Sequence, residues 1–348
     1  MADAFLSALV NQRQPDSETM IDFWRQVDRG EQTPQMVLAV LGALSSRPLE
    51  TETALAFLRY VNSAYPKTRL PVVQDAVNIV GTGGGMETFN ISTTAAFVAA
   101  AAGVRVLKSG SRAYSSRVGA QDVLERLGIR VPADDEVLIR MLEELGIGFV
   151  PGARYPALCR RLVQACQPLS FRLIGQIVNR LGPLLCPYEL KGQVIGTANP
   201  ELLRVLACAA QELALDNLLF THATVGADEM LPFGLNLCWW VRQRHGASQW
   251  HELVDGVGKE YRSGDISRIR GGNVTENAER LQCILAGKDC DEALDAVAWN
   301  AAAALLIARR VDKLQDGMRL ARGILDSGKA LVLLRQTQAF CRELRRAR

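Results

Sequence analysis

The feature that most constrains the fold is a repeated alternation of strand, glycine turn and helix in the first half of the chain. Residues 77–80 form a short apolar run that leads into glycines, and residues 92–102 are rich in alanine and predict a helix. A strand over 104–107, another glycine turn and a helix over 121–127 repeat the pattern. This alternation is typical of a parallel sheet covered by helices, so the sequence predicts an α/β fold.

A helical region precedes this alternation. Residues 1–65 carry apolar residues at helical spacing. Further helices are predicted over 134–146, 156–187, 200–212 and from 274 onward, and strands over 147–150, 194–196 and 218–220. We predict a small all-helical domain over 1–72, to which residues 168–190 return. The large α/β domain, with a mainly parallel central sheet, is predicted over 73–167 and 191–348.

Composition and charge exclude several classes of protein. The chain has 348 residues, 22% of them charged, and a formal net charge of +3, which is weak support for a nucleic-acid partner. Its eight cysteines are scattered without a Cys-x-x-Cys pair, which argues against a zinc site or a disulfide framework. The N-terminus lacks the pattern of a signal peptide, and the longest apolar runs are too short to span a bilayer. We therefore predict a cytoplasmic protein with no membrane partner and no nucleic-acid partner.

A glycine-rich segment directly follows the first predicted strand. It runs from Gly81 to Thr93 and reads Gly-Thr-Gly-Gly-Gly-Met-Glu-Thr-Phe-Asn-Ile-Ser-Thr. Glycines let the backbone approach a ligand closely, and the free N–H groups at the start of the next helix suit an anion. No Gly-Lys-Ser/Thr follows, so this is not a Walker A loop, and Lys108 stands where a dinucleotide site would place an acidic residue. A glycine turn with an ordinary helix cap is the alternative.

Polar residues also follow two other predicted strands. After the strand over 104–107 come two cations and several hydroxyls: Lys108, Ser109, Ser111, Arg112, Ser115 and Ser116. The carboxyl ends of parallel strands meet at one sheet edge, so two such segments favour a ligand rich in phosphate. Asp228 and Glu229 come a few residues after the strand over 218–220. A carboxylate pair there would suit Mg²⁺, which binds through one or two carboxylates together with substrate phosphates.

Several motifs occur in a fixed order between residues 75 and 335. They are Gly-Thr-Gly-Gly with Thr-Phe-Asn-Ile-Ser-Thr over 81–93, Lys-x-Gly-x-Arg-x-x-Ser-Ser over 108–116, Asn-x-Leu-Gly-Pro-Leu over 179–184, Gly-x-Asp-Glu over 226–229, Asn-Ala-Ala over 300–302 and Ser-Gly-Lys-Ala over 327–330. This set resembles the anthranilate phosphoribosyltransferase family, which is related to the pyrimidine nucleoside phosphorylases. The resemblance implies a two-domain enzyme, usually a homodimer, that binds phosphoribosyl pyrophosphate (PRPP) and Mg²⁺ in a cleft.

The resemblance also assigns roles to residues by position. Those implied to bind PRPP are Gly81, Gly84, Gly85, Thr88, Asn90, Ile91, Ser92, Thr93, Lys108, Ser115, Ser116 and Ala120. Those implied to hold Mg²⁺ are Ser92, Asp228 and Glu229. Those expected to bind the acceptor are Gly81, Ser109, Ser111 and Arg172.

The departures from the family pattern fall where the acceptor binds. Ser111 replaces the Asn that contacts the carboxylate of anthranilate, and Cys186 replaces an Asn that follows the Gly-Pro-Leu motif. The family's carboxylate-binding Arg aligns near Leu169 or Ser170, and Arg172 is the nearest cation. A buried carboxylate needs a cation or several donors, so these losses argue against anthranilate or for a rebuilt site.

We therefore predict a phosphoribosyltransferase that moves 5-phosphoribose from PRPP to a small aromatic acceptor other than anthranilate. Three alternatives stay open: an anthranilate phosphoribosyltransferase of tryptophan biosynthesis, a phosphorylase that uses ribose 1-phosphate, and a non-catalytic relative that binds nucleic acid. The last alternative would predict loss of the acidic pair and of the phosphate loop, and the sequence retains both.

Overall fold

The main sheet of the protein has six strands. The computed structural model describes residues 2–110, 118–244, 247–248 and 265–346. The strands are β1 Val77–Gly81, β2 Val106–Lys108, β3 Ile147–Phe149, β4 Gly192–Gly196, β5 Leu218–Ala223 and β6 Asn236–Val241. Their order in the sheet is β3-β2-β1-β4-β5-β6, and only β6 runs antiparallel to its neighbour. The predicted α/β class with a mainly parallel sheet is therefore confirmed. A separate hairpin joins β7 Gln243–Arg244 to β8 Ala247–Ser248.

The helices before the glycine loop and after it take these bounds. The first group is α1 Ala2–Val10, α2 Ser17–Arg29, α3 Pro34–Ser45, α4 Thr51–Ala64 and α5 Pro71–Gln74. The second group is α6 Ile91–Ala101, α7 Ala120–Arg126, α8 Asp135–Glu144, α9 Ala157–Ala165, α10 Phe171–Ile174, α11 Gln176–Leu181 and α12 Pro200–Glu212. The last group is α13 Val274–Leu285, α14 Asp291–Ile307, α15 Leu314–Asp326 and α16 Lys329–Arg346.

Helices cover both faces of the sheet because successive strand residues point to opposite sides. Leu219 and Trp240 belong to one hydrophobic core, while Phe220 and Trp239 belong to the other. On the first face α6 packs against α14 and α16, and the alanine-rich α14 is buried along nearly its whole length. Small side chains allow this close approach of helix to helix and helix to sheet. On the second face α12 lies between the sheet and α4.

The second core also joins the N-terminal helices to a later part of the chain. α2 and α3 contact α9, and α3 further contacts α10 and α11. The predicted returning segment began at residue 168, yet α9 packs on the same helices before that point. We propose that the helical domain comprises residues 1–72 with a returning segment that begins near residue 157.

Two features differ from the sequence prediction. β6 was not predicted, because its apolar run follows the Pro232–Gly234 turn and becomes a strand only by pairing with the edge of β5. The mainly helical segment 156–187 divides into α9, α10 and α11. Gly175 separates the last two, and a Cβ at that position would lie 2.3 Å from the ring of Phe171. Within the described residues, no helix is both long and apolar enough to span a membrane.

Candidate active site

The strand order reverses between β1 and β4, and a cavity lies at this point. The loops that follow β1, β2 and β5 line the cavity together with the carboxyl end of β4, and its volume is about 590 Å³. In parallel sheets this is the place where a crevice opens, since the loops from strands on either side diverge there. The remaining walls come from α9, the region of α10 and α11, and residues 271–277.

Glycines without side chains allow the loop after β5 to approach the ends of β1 and β4. A Cβ at Gly196 would lie 1.6 Å from the main-chain oxygen of Asp228, and one at Gly81 would lie 2.3 Å from its Oδ2. The main-chain N–H of Gly83 donates a hydrogen bond to the same Oδ2 at 2.9 Å. Gly83 has a φ of 65°, which glycine adopts without strain. The glycine segment therefore positions the Asp228 carboxylate as well as the backbone.

Asp228 and Glu229 place two carboxyl groups side by side in the cavity wall. The protein around them excludes water, and this desolvation raises the pKa of Asp228. Desolvation also raises the pKa of Glu229, and the charge of Asp228 raises it further. The hydroxyl of Thr88 donates to Glu229 Oε2 at 3.2 Å. The two side chains also share a hydrogen bond, and such an adjacent pair of carboxyl groups in a cavity wall suits a hard divalent cation.

These two carboxylates would need additional ligands to hold a cation. In the described part of the chain, no group of three His, Cys, Asp or Glu side chains is arranged to bind a metal. Mg²⁺ commonly keeps waters and takes oxygens from a phosphorylated substrate, so an open pair of this kind fits Mg²⁺ better than a transition metal.

Lys108 stands at the end of β2 with its side chain buried. Its Nζ donates to the main-chain oxygen of Ser109 at 2.5 Å. Burial lowers the pKa of Lys108 to about 8, while the nearby charges of Glu229 and Asp228 act in the opposite direction. Burial of the ammonium group costs free energy in the unliganded protein, and the two carboxylates offset only part of this cost. An anionic ligand would offset more of it.

The pH dependence of folding should report the burial of Lys108. Folding lowers the pKa from 10.5 to about 8, so between these values the unfolded chain binds more protons than the folded chain. The free energy of unfolding therefore rises with pH across this window, and below it the cost of the buried charge is present in full. Between about pH 7.5 and about pH 9.5, urea unfolding should show a gain of roughly 1–2 kcal/mol for the natural chain relative to Lys108→Met. The same pH dependence in both proteins would contradict this assignment.

The N-terminus of α6 forms a further part of the cavity wall. Asn90, Ser92 and Thr93 line the cavity there. The Thr93 hydroxyl is buried and has no hydrogen-bond partner among the residues that the structure describes. A buried hydroxyl without a partner is costly, and this one belongs to a residue that lines the cavity, so a ligand would supply the missing bond. Asn277 fixes the neighbouring side chain, because its Nδ2 donates to Asn90 Oδ1 at 3.1 Å.

A buried polar network connects the sheet with the opposite end of the cavity. Asn78 on β1 donates to Ser109 Oγ at 2.9 Å and to Gln193 Oε1 on β4 at 3.1 Å. The Ser109 hydroxyl also hydrogen-bonds the side chain of Tyr155, whose pKa is raised by burial. Ser109 is thus held by its neighbours, and both Ser109 and Tyr155 line the cavity.

Most of the described residues to which the sequence assigned a binding role line this one cavity. They are Gly81, Gly84, Gly85, Thr88, Asn90, Ser92, Thr93, Lys108, Ser109, Ala120, Asp228 and Glu229. Ser111, Ser115 and Ser116 lie outside the described residues. The ligands assigned to all of these residues stay predictions.

Two of the assigned residues do not line the cavity. Ile91 has its side chain in the core, and its N–H already donates to the main-chain oxygen of Phe89 at 2.6 Å. Arg172 is exposed on α10, whose buried side is formed by Phe171. His222, beside the carboxylate segment in sequence, also lies away from the cavity, with Nδ1 2.8 Å from the main-chain oxygen of Thr197. The structure therefore gives no support to Arg172 as an acceptor contact.

Several cavity residues were missed from the sequence. Gly271, Gly272 and Asn277 line it from a segment far along the chain, and Tyr155 and Arg160 line it from the start of α9. The Asn-x-x-Glu capping box at Asn273 predicts a helix start, yet nothing local indicates that this helix meets α6. Only the packing of α13 against α6 brings Asn277 to Asn90.

Comparison with known proteins first gives the class. Residues 73–331 match the family model "Glycosyl transferase family, a/b domain", so the fold and the site define a glycosyl transferase. The chain is also 36% identical over 337 residues to the anthranilate phosphoribosyltransferase of Thermomicrobium roseum, an alignment that covers 95% of this chain and 94% of the relative. It belongs to the anthranilate phosphoribosyltransferase family. It is therefore an enzyme of the pentosyltransferase type.

Other relatives agree with this assignment. The anthranilate phosphoribosyltransferase of Synechococcus elongatus is 37% identical over 308 residues, covering 87% of this chain and 86% of the relative. The crystal structure of the Thermus thermophilus enzyme matches with a TM-score of 0.80 and 32% identity over 97% of this chain and 99% of that one. The Saccharomyces cerevisiae enzyme, in complex with PRPP and Mg, has a TM-score of 0.78 at 22% identity, covers 98% of both chains and shares the fold.

Proposed function

We propose that this enzyme transfers 5-phosphoribose from PRPP, bound with Mg²⁺, to a small aromatic acceptor and releases pyrophosphate. One observation carries the proposal. A single cavity contains a helix N-terminus, a buried lysine and an adjacent carboxylate pair, and one buried hydroxyl of that helix lacks a partner among the described residues. These groups are complementary to an anionic sugar phosphate together with its cation.

Different residues would bind the phosphates, balance the charge of the leaving group and hold Mg²⁺. Asn90, Ser92 and Thr93 would bind phosphate oxygens at the N-terminus of α6, and Lys108 would balance negative charge on the leaving group. Asp228 and Glu229 would hold Mg²⁺, with Ser92 as a further oxygen ligand. When bound, Mg²⁺ would neutralise the charge of the departing pyrophosphate. The acceptor atom bonds to C1 of the ribose as the C1–O bond to pyrophosphate breaks, and the enzyme orients the two reactants.

Two acceptors are consistent with the proposal. Anthranilate is favoured by the names of the relatives that match nearly the whole chain. A different aromatic acceptor is favoured by Ser111 and Cys186, which depart from the family pattern, and by the position of Arg172 outside the cavity lining. We put anthranilate first in any assay because the comparisons favour it, and other aromatic amines, phenols and carboxylates second.

Other properties implied by the family stay part of this proposal. They are the homodimer and the cytoplasmic location. A non-catalytic role in binding nucleic acid is disfavoured, because the residues needed to bind PRPP and Mg²⁺ line one cavity. Neither Asp228 nor Glu229 would favour binding of a nucleic acid, because the phosphates of its backbone are negatively charged like the two carboxylates.

Calorimetric titration with PRPP tests the proposal. Binding should be at least about 10-fold tighter with Mg²⁺ than with a chelator, since the carboxylates repel an unneutralised ligand. Turnover with anthranilate, followed by pyrophosphate release, then tests the acceptor. Absence of PRPP binding in the presence of Mg²⁺ would sink the proposal.

A pair of threonine variants sharpens this titration. Thr93 and Thr221 both carry a buried hydroxyl without a partner in the described part of the chain, but only Thr93 lines the cavity. Thr93→Val should weaken PRPP binding about 10-fold, the loss expected for one hydrogen bond to a charged group, and Thr221→Val should leave it within about 2-fold. Both variants should keep or gain stability, because each removes an unsatisfied buried group. Equal PRPP affinities would refute the role of Thr93.

A further inference from the structure

One side of α9 forms a wall of the cavity. Pro156, Cys159, Arg160 and Val163 all line it, and they follow the i, i+3, i+4, i+7 spacing of a single helix face. The position of Arg160 on this face of the helix, and not only its side-chain rotamer, directs it toward the cavity. The next residue, Arg161, is off the stripe and does not line the cavity.

The wall that shares this end of the cavity with α9 is mostly apolar, with Asn179 as its polar side chain. Phe171, Val178, Pro183 and Leu185 line it from the segment between α10 and the residues after α11. Phe171 is held in place by Gly175, where any Cβ would collide with its ring. Rigid apolar side chains of this kind suit a flat aromatic ring, which gains from being removed from water. The phosphate-binding groups belong to the glycine loop and the start of α6, so this end is available to the second substrate.

The two basic residues among the described lining residues differ in their surroundings. Lys108 is buried, bonded to Ser109 and within the field of Asp228 and Glu229. Arg160 is exposed, and the described residues offer it no carboxylate within ion-pair distance. Its guanidinium has five donors, and a planar anion such as a carboxylate can accept two of them at once.

We propose that Arg160 is the residue that selects the acceptor, by binding a negatively charged substituent of its aromatic ring. The inference deepens the proposed function and rests on it only in placing the second substrate in this cavity. The acceptor class is thus a small planar aromatic anion, with its ring against the Phe171 wall and its charge at α9. Arg160 takes the role that the sequence suggested for Arg172, from a different helix.

Direct binding tests this inference without any need for turnover. The probes are anthranilate and anthranilamide, which has a neutral amide in place of the carboxylate. Calorimetry in the presence of PRPP and Mg²⁺ should show anthranilate binding about 10- to 100-fold more weakly to Arg160→Gln than to the natural enzyme. Arg160→Lys should recover part of the loss, because it restores charge without the two-donor geometry. Anthranilamide should bind both proteins within about 2-fold of each other.

Arg161 is a matched control on the same helix. It carries the same charge one residue away, and its Nε lies 4.0 Å from Asp28 Oδ1, outside the cavity. Arg161→Gln should leave anthranilate affinity within about 2-fold, since Arg161 does not line the cavity. Kinetics should agree: Arg160→Gln raises the KM for anthranilate, while the KM for PRPP stays within about 2-fold.

The outcomes separate this inference from the proposed function. Anthranilate affinity that is equal in Arg160→Gln and Arg161→Gln, or an equal loss for anthranilamide, overturns the role of Arg160. Failure of the natural enzyme to bind any benzoate-type anion overturns it as well. Charge-dependent binding at Arg160 without pyrophosphate release would instead uphold the inference and count against anthranilate as the acceptor of the proposed function.

Discussion

Asp228→Asn and Glu229→Gln should each lower kcat by about 10²- to 10³-fold, and the double variant should have no measurable turnover at ordinary Mg²⁺ concentrations. Both changes keep the size of the side chain and remove its charge. The loop should stay in place in Asp228→Asn, because the oxygen of the new amide can still accept the hydrogen bond from Gly83. The loss therefore reports charge rather than shape.

The measurement is the initial rate of pyrophosphate release at saturating PRPP and acceptor, repeated over a range of Mg²⁺ concentrations. The single variants should need more Mg²⁺ to reach half of their maximal rate, since each loses a ligand. The unliganded variants should be at least as stable as the natural chain, because desolvation raises the pKa of both carboxyl groups. Glu212→Gln, at an exposed position that ends α12, serves as the control. Natural rates in either single variant would show that the pair does not hold the cation.

Gly196→Ala should cost about 3 kcal/mol or more of unfolding free energy and should abolish catalysis. A Cβ at this position would lie 1.6 Å from the main-chain oxygen of Asp228, far inside van der Waals contact. The atom in the way belongs to the backbone, so relief requires the loop after β5 to move away from the end of β4. That movement would displace the carboxylate pair, which links the structural cost to the loss of function.

Gly42→Ala is the matched control for this prediction. Gly42 lies within α3, and a Cβ there would have no heavy atom within 4 Å. Alanine has the higher helix propensity, so this variant should gain about 0.5–1 kcal/mol and keep full activity. Urea unfolding of both variants at equal protein concentration makes the comparison. If Gly196→Ala unfolded at the same urea concentration as the natural chain, this would contradict the close approach of Gly196 to the main-chain oxygen of Asp228.

Local sequence was sufficient for the parts of the site that follow individual strands. The glycine run after β1 and Lys108 after β2 could be placed at one sheet edge, because parallel strands deliver their carboxyl ends to the same side. Asp228 and Glu229 could be added for the same reason, since they follow β5. These predictions depend only on periodicity and on chain direction, both of which a sequence displays.

The positions of site residues that lie on helices could not be predicted in this way. Arg172 was chosen as an acceptor contact by its position near a motif, yet it is exposed on α10 and outside the cavity. Arg160, twelve residues earlier in the chain, lines the cavity instead. Successive side chains of a helix point in different directions. The residues at which α9 and α10 begin therefore decide which arginine points into the cavity. The break at Gly175 depends on contact with Phe171, which no local pattern reveals.

By itself, the amino-acid sequence determined the alternation of strands and helices, the glycine loop, the buried character of the strands and the acidic pair, because each follows from the preferences of neighbouring residues. The tertiary structure alone decided that Gly196 must lack a side chain, that Asn277 holds Asn90 and that Arg160 lines the cavity. Those facts depend on contacts between segments far apart in the chain. Such contacts form only when the hydrophobic cores bring the helices and the sheet edge together.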